Sequence, residues 1–121
     1  DKKDSYHKKM INFFMAEKYS LITTWPVVTE VCCMLDFNLK AQLDFLEWLR
    51  RGGLALYDIK QEDIQRLIDL TKKYSDIPMD LADASIVLLA EKLNIKKIIT
   101  IDSDYNIYRT LKKEYLENIF N

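Results

Sequence analysis

A chain of 121 residues that is 49% hydrophobic and 12% aromatic, with only two Gly and two Pro, has the length of one compact domain and the apolar content to fill a core. Disordered, collagen-like and linker readings are excluded. Its 18 Lys and Arg face 19 Asp and Glu, a formal net charge of −1, so no global basic field holds a polyanion and any contact with nucleic acid is local.

In chain order, Met10, Ile11, Phe13, Phe14 and Met15 stand among lysines between His7 and Lys18, the pattern of an amphipathic helix. Ser20 to Thr24 is a short β-prone run. Thr23 or Thr24 is expected to cap a helix with Pro26 near its start, which carries Glu30 and runs to about Asp36. Leu39, Leu43 and Leu46 mark a second helix that stops at Gly52 and Gly53. Leu54 to Ile59 is the next strand, and helical spacing then runs from about Gln61 to Tyr74 until Ser75 to Pro78 breaks it. Asp80 to about Leu93 is apolar on nearly every side and is expected to be the central helix. Lys97 to Ile101 reads as a parallel strand buried on both faces. A turn at Asp102 to Asp104, a short helix around Tyr105 to Lys113 and an edge strand within Tyr115 to Phe120 complete the chain.

Strands separated by helices predict an α/β fold, a parallel sheet with helices on both faces, and ligands in such sheets bind outside the carboxyl ends of the strands. Glu30, Asp102 and Asp104 follow strands at that end, and Asp58 ends one. Asp83 stands in the first turn of the most apolar helix, where an ionised carboxylate needs compensation. Two readings of it stay open: a capping box, Asp80-Leu-Ala-Asp83, or a ligand to a cation shared with Glu30 and Asp102. Carboxylates gathered without His or Cys match the oxygen ligands preferred by Mg²⁺ or Mn²⁺, and such a site supports phosphodiester hydrolysis without a side-chain nucleophile.

Three blocks, Thr29-Glu30-Val31, then Ser75 to Val87 with its core Pro78-Met79-Asp80-Leu81-Ala82-Asp83-Ala84-Ser85, then Ile98 to Tyr105, closely resemble the PIN-domain family in order and spacing. The likeness covers nearly the whole chain and is nearest to the small prokaryotic members, many of them toxins of the VapC type. It implies a three-layer α/β/α sandwich and a metal-dependent endoribonuclease, in the cytoplasm, with a small antitoxin as partner. Glu30, Asp83 and Asp102 take the positions of the family's second, third and fourth acidic residues, and Asp104 is expected to assist Asp102 at the metal or to cap the helix that follows. PIN domains begin with a central strand ending in Asp and a short helix. The stretch from Asp1 to His7 resembles what comes just after that helix, so the expectation is one domain over 1–121 whose first strand and helix precede Asp1 in the natural protein.

Thr29 and Thr100 carry hydroxyls able to orient the carboxylates or their bound water, and Arg109 is a candidate contact for phosphate, with a surface ion pair as its alternative. Trp25 and Trp48 read as core or partner anchors ahead of base-stacking platforms, Asp58 as a strand-end cap ahead of a ligand, and Cys32 and Cys33 as small buried hydrophobes. The apolar residues of the early helices, together with the resemblance, predict a homodimer and an antitoxin surface. Two other functions remain open: a PIN-like module without catalysis that binds RNA or assists assembly, and a phospho-acceptor domain using Asp58 and Thr100. Against the latter, two helical segments separate the strands that carry Asp58 and Thr100.

Overall fold

A computed structural model describes residues 21–77, 79–95, 97–98 and 117–118. The expected helices between His7 and Lys18 and around Tyr105 to Lys113, and the turn at Asp102 to Asp104, lie outside the described residues. Strand β1 (Ile22–Thr23) leads into helix α1 (Trp25–Met34), and helix α2 (Leu39–Arg50) leads into strand β2 (Ala55–Leu56). A 3₁₀ turn at Gln61–Asp63 opens helix α3 (Ile64–Lys73), and helix α4 (Leu81–Leu93) precedes strands β3 (Lys97–Ile98) and β4 (Glu117–Asn118). No helix among the described residues is long and apolar enough to cross a membrane.

The fold is a mixture of helix and parallel strand. Ile22 pairs with Ala55 and Thr23 with Leu56, while Lys97 pairs with Glu117 and Ile98 with Asn118. Tyr57 extends the first ladder by donating its amide to the Thr23 carbonyl at 2.8 Å. Helices α1 and α2 lie between β1 and β2, the long crossover that a parallel pair needs. One continuous sheet was expected; among the described residues the strands form two separate pairs. The β2 segment is also shorter than the expected Leu54 to Ile59, because the Gln61–Asp63 turn begins soon after Tyr57.

Local chemistry sets the helix ends. The Asn38 side chain caps α2 by accepting the Ala41 amide at 3.2 Å. Past Arg50, Gly52 turns left-handed (φ 90°), and the Gly52 and Gly53 amides return to the carbonyls of Leu49 and Trp48, the closure that the glycine pair predicts. A Cβ at Gly53 would collide with the Trp48 indole. Asn94 performs the same turn for α4 (φ 54°), with Ile95 donating to the Ala90 carbonyl at 2.8 Å.

Helix α4 is the centre of the structure, as its all-round apolar sequence predicts. It packs against α1 and α3, and Ala84, Val87 and Leu88 form a core with Leu67, Leu70, Tyr74 and Met79. Two ion pairs pin its last turns to the α3 side: Arg66 donates to Glu91 at 2.9 Å, and Lys92 meets the buried Asp63 carboxylate at 3.2 Å. Asp63 also accepts the Lys60 amide at 3.0 Å. Cys33 is exposed and Cys32 half-buried, a correction to the expectation of two buried thiols. They occupy the far half of α1, whose one buried residue is Val28.

Thr24 takes the expected N-cap position of α1, yet its side chain makes no cap bond. Its hydroxyl is fully buried against Ser85 of α4, Oγ to Oγ 2.6 Å, and Ser85 donates in turn to the Ala82 carbonyl at 2.7 Å. Because the Ser85 proton is committed to Ala82, Thr24 is the donor of the pair. The two hydroxyls are therefore unequal. Thr24→Val leaves Ser85 bonded to Ala82 and is expected to cost under about 1 kcal/mol, whereas Ser85→Ala strands a buried donor and is expected to cost about 1–3 kcal/mol. Urea unfolding of the two variants checks the order; equal losses would contradict the assigned direction.

Candidate functional site

The Thr24–Ser85 bond fixes the start of α1 beside the first turn of α4, and the acidic residues of both helices meet there. Glu30 lies just over one turn beyond Trp25 on α1, at the surface. Asp80, in extended conformation (φ −87°, ψ 178°), is the N-cap of α4 and accepts the Asp83 amide at 2.8 Å. Asp83 reaches back to accept the Asp80 amide at 3.2 Å. The capping box read from the sequence is thus present, which gives Asp83 a structural task through one carboxylate oxygen.

Glu30 makes a side-chain hydrogen bond to Asp80, joining residues 50 positions apart in sequence. Burial pushes the Asp80 carboxyl up, but the hydrogen bond from Glu30, with those from Asp83 and the Ala82 amide, outweighs it and holds Asp80 below its ordinary value. Two carboxyl groups hydrogen-bond only when they share a proton, because an ionised carboxylate has acceptors alone. A cation between them meets the same electrostatic need. Sequence reasoning singled out Glu30 and Asp83 but gave Asp80 only a capping role. The missed signal was its place beside Asp83 at a helix start, which turns an N-cap oxygen toward whatever packs on that end.

The other expected site residues are placed as follows. Thr29 donates its hydroxyl to the Trp25 carbonyl at 3.0 Å, within its own helix. Thr100, Asp102, Asp104 and Arg109 lie outside the described residues. Among the described residues no group of three or more His, Cys, Asp or Glu is arranged to hold a metal ion.

Next to the acidic group, a cleft of about 190 Å³ opens between the first turn of α1, the segment after β2 and the start of α4. Trp25, Pro26, Tyr57, Ile59, Leu67 and Leu81 line it, and Asp58 is its single charged group among the described residues. Trp25 is 59% exposed and Leu81 57%, so of the two expected places for Trp25, core or partner contact, the core one is excluded and the ring stands at the surface of the cleft. No protein-family model matches the chain, and no curated protein matches it.

The Asp63 carboxyl is held below its ordinary value, chiefly by the Lys60 amide. The unfolded chain therefore binds more protons than the folded one in the window beneath the usual aspartate value of about 3.9. The Asp63 contribution is present above that pH and is lost as pH falls through its depressed value. Stability measured between about pH 5 and pH 2 is expected to drop less steeply in Asp63→Asn than in the unmodified chain; identical slopes would contradict it.

Proposed function

We propose that the chain is a metal-dependent endoribonuclease domain with a PIN-like α/β/α sandwich, and that Glu30 and Asp83, with Asp102 and Asp104, hold Mg²⁺ or Mn²⁺. The observation that carries this reading is the carboxyl contact between Glu30 of α1 and Asp80 at the head of α4. Like-charged groups from two helices meet at the surface, and a divalent cation at that point removes the repulsion that one shared proton removes in its absence. The donor chemistry is all oxygen, which suits these hard ions.

When bound, the ion supplies a Lewis acid that acidifies a coordinated water and offsets charge on the phosphodiester. The chain's own residues do the rest. Asp83 accepts the Asp80 amide at 3.2 Å, so the capping box also orients its carboxylate at the head of α4. Asp80 holds Glu30 at the head of α4. Thr29 donates to its own helix and keeps acceptor positions for a metal-bound water, and Thr100 supplies a second hydroxyl to orient the carboxylates. Arg109 meets the phosphate as a bidentate donor.

The protein is expected to cleave single-stranded RNA only with Mg²⁺ or Mn²⁺ present, and Asp83→Asn to abolish cleavage. Asn keeps an acceptor for the Asp80 amide, so the unfolding midpoint is expected to stay within about 1 kcal/mol of the unmodified protein. Cleavage in chelator, or by the variant, contradicts the reading.

A second reading, a PIN-like assembly or RNA-binding module without catalysis, draws on α2, which buries no residue. Phe37, Leu39 and Leu43 are 71%, 67% and 54% exposed, large apolar side chains grouped at the start of α2 where a partner could cover them. The same face serves the nuclease reading as the surface for a homodimer or a small antitoxin. A dimer mass in light scattering at micromolar concentration, reduced to the monomer by Leu43→Glu, is the expected outcome; a monomer in both chains contradicts it.

A further inference from the structure

The cleft beside the acidic group has the chemistry of a base-binding site. Resting on the ribonuclease reading, the geometry points to a pocket for one guanine base of the RNA, with Asp58 reading its Watson–Crick edge and Trp25 and Tyr57 supplying the aromatic surface. Three observations lead there. At about 190 Å³ the cleft is many times the volume one water needs and opens to solvent, so it can admit a flat base with the sugar and phosphate left outside. The walls are two aromatic rings with Pro26, Ile59, Leu67 and Leu81, the surface on which an unstacked base of a single strand is held. Asp58 is exposed and is the only charged side chain of the lining among the described residues.

That carboxylate selects the base. Its two oxygens lie in one plane and accept two parallel hydrogen bonds. Guanine presents two parallel donors on one edge, the ring N1–H and the amino group. Adenine and cytosine each present an amino donor beside a ring nitrogen acceptor, which faces a carboxylate with like partial charge. Uracil presents one imino donor between two carbonyls. Only guanine satisfies both oxygens of Asp58 without repulsion. Leu81 belongs to the cleft and directly follows Asp80, so the cleft adjoins the head of α4 where the carboxylates of the proposed metal site lie.

The test is binding of mononucleotides, without metal and without cleavage, so that it stands apart from the nuclease reading. Guanosine 5′-monophosphate, its adenosine, cytidine and uridine counterparts, and inosine 5′-monophosphate, which lacks the amino group, are titrated calorimetrically into the unmodified protein. The guanosine nucleotide is expected to bind at least about tenfold more tightly than each of the others, the loss of one hydrogen bond to a charged acceptor accounting for the inosine step. Asp58→Asn, which offers one acceptor in place of two, is expected to lower guanosine affinity at least about tenfold. The inosine comparison needs no variant, so a misfolded Asp58→Asn does not remove the test. Equal binding of the five nucleotides, no detectable guanosine binding, or full binding by a folded Asp58→Asn overturns the proposal. Guanosine selectivity in a protein that fails to cleave RNA leaves the pocket standing and removes only the nuclease reading.

Discussion

Burial of α4 between α1 and α3 is the constraint on which the rest of the structure depends. A helix apolar on almost every side must be covered on almost every side. The covering helices carry the few polar groups that fix how they sit. On the α3 side the fixing is ionic, through Arg66 with Glu91 and Asp63 with Lys92. On the α1 side it is a buried hydroxyl pair, Thr24 with Ser85. A buried polar pair of this kind is satisfied in one arrangement and costly in any other, so it sets the angle and depth at which α1 meets the head of α4. Hydrophobic contact alone is non-directional and sets neither.

The acidic site is a consequence of that docking. Once Thr24 is tied to Ser85, the next turn of α1 brings Glu30 to Asp80, and the capping box of α4 brings Asp83 to the same end. The capping and metal-ligand readings of Asp83 therefore do not compete. A carboxylate has more acceptor positions than one backbone amide uses, and the amide fixes the direction of the remainder. The apolar cleft is built from the same junction, since Trp25 and Pro26 begin α1 and Leu81 begins α4.

Much of this was legible in the sequence because it is local. The Gly52–Gly53 stop, Pro26 in the first turn of α1, the Asp80–Asp83 box and the central position of α4 each follow from residues a few positions apart. What could not be read is long-range. The Thr24 hydroxyl was assigned to the nearest orphan amide, but Ser85, 61 residues away, offers a buried acceptor that competes with it. Asp80 looked like a cap only, because its contact with Glu30 depends on helix docking and not on spacing. Trp25 was weighed as an anchor on size alone, and its exposure follows from the place where α1 begins, at the mouth of a cleft.

The central claim is that the carboxylates gathered at the head of α4 form a divalent-cation site. Titration of Mn²⁺ followed by electron paramagnetic resonance tests it directly, since bound and aqueous Mn²⁺ give distinct signals. The account predicts saturable binding by the unmodified protein, competition by Mg²⁺, and affinity lowered at least about tenfold in both Glu30→Gln and Asp83→Asn. No binding, or binding that both substitutions leave unchanged, would contradict it.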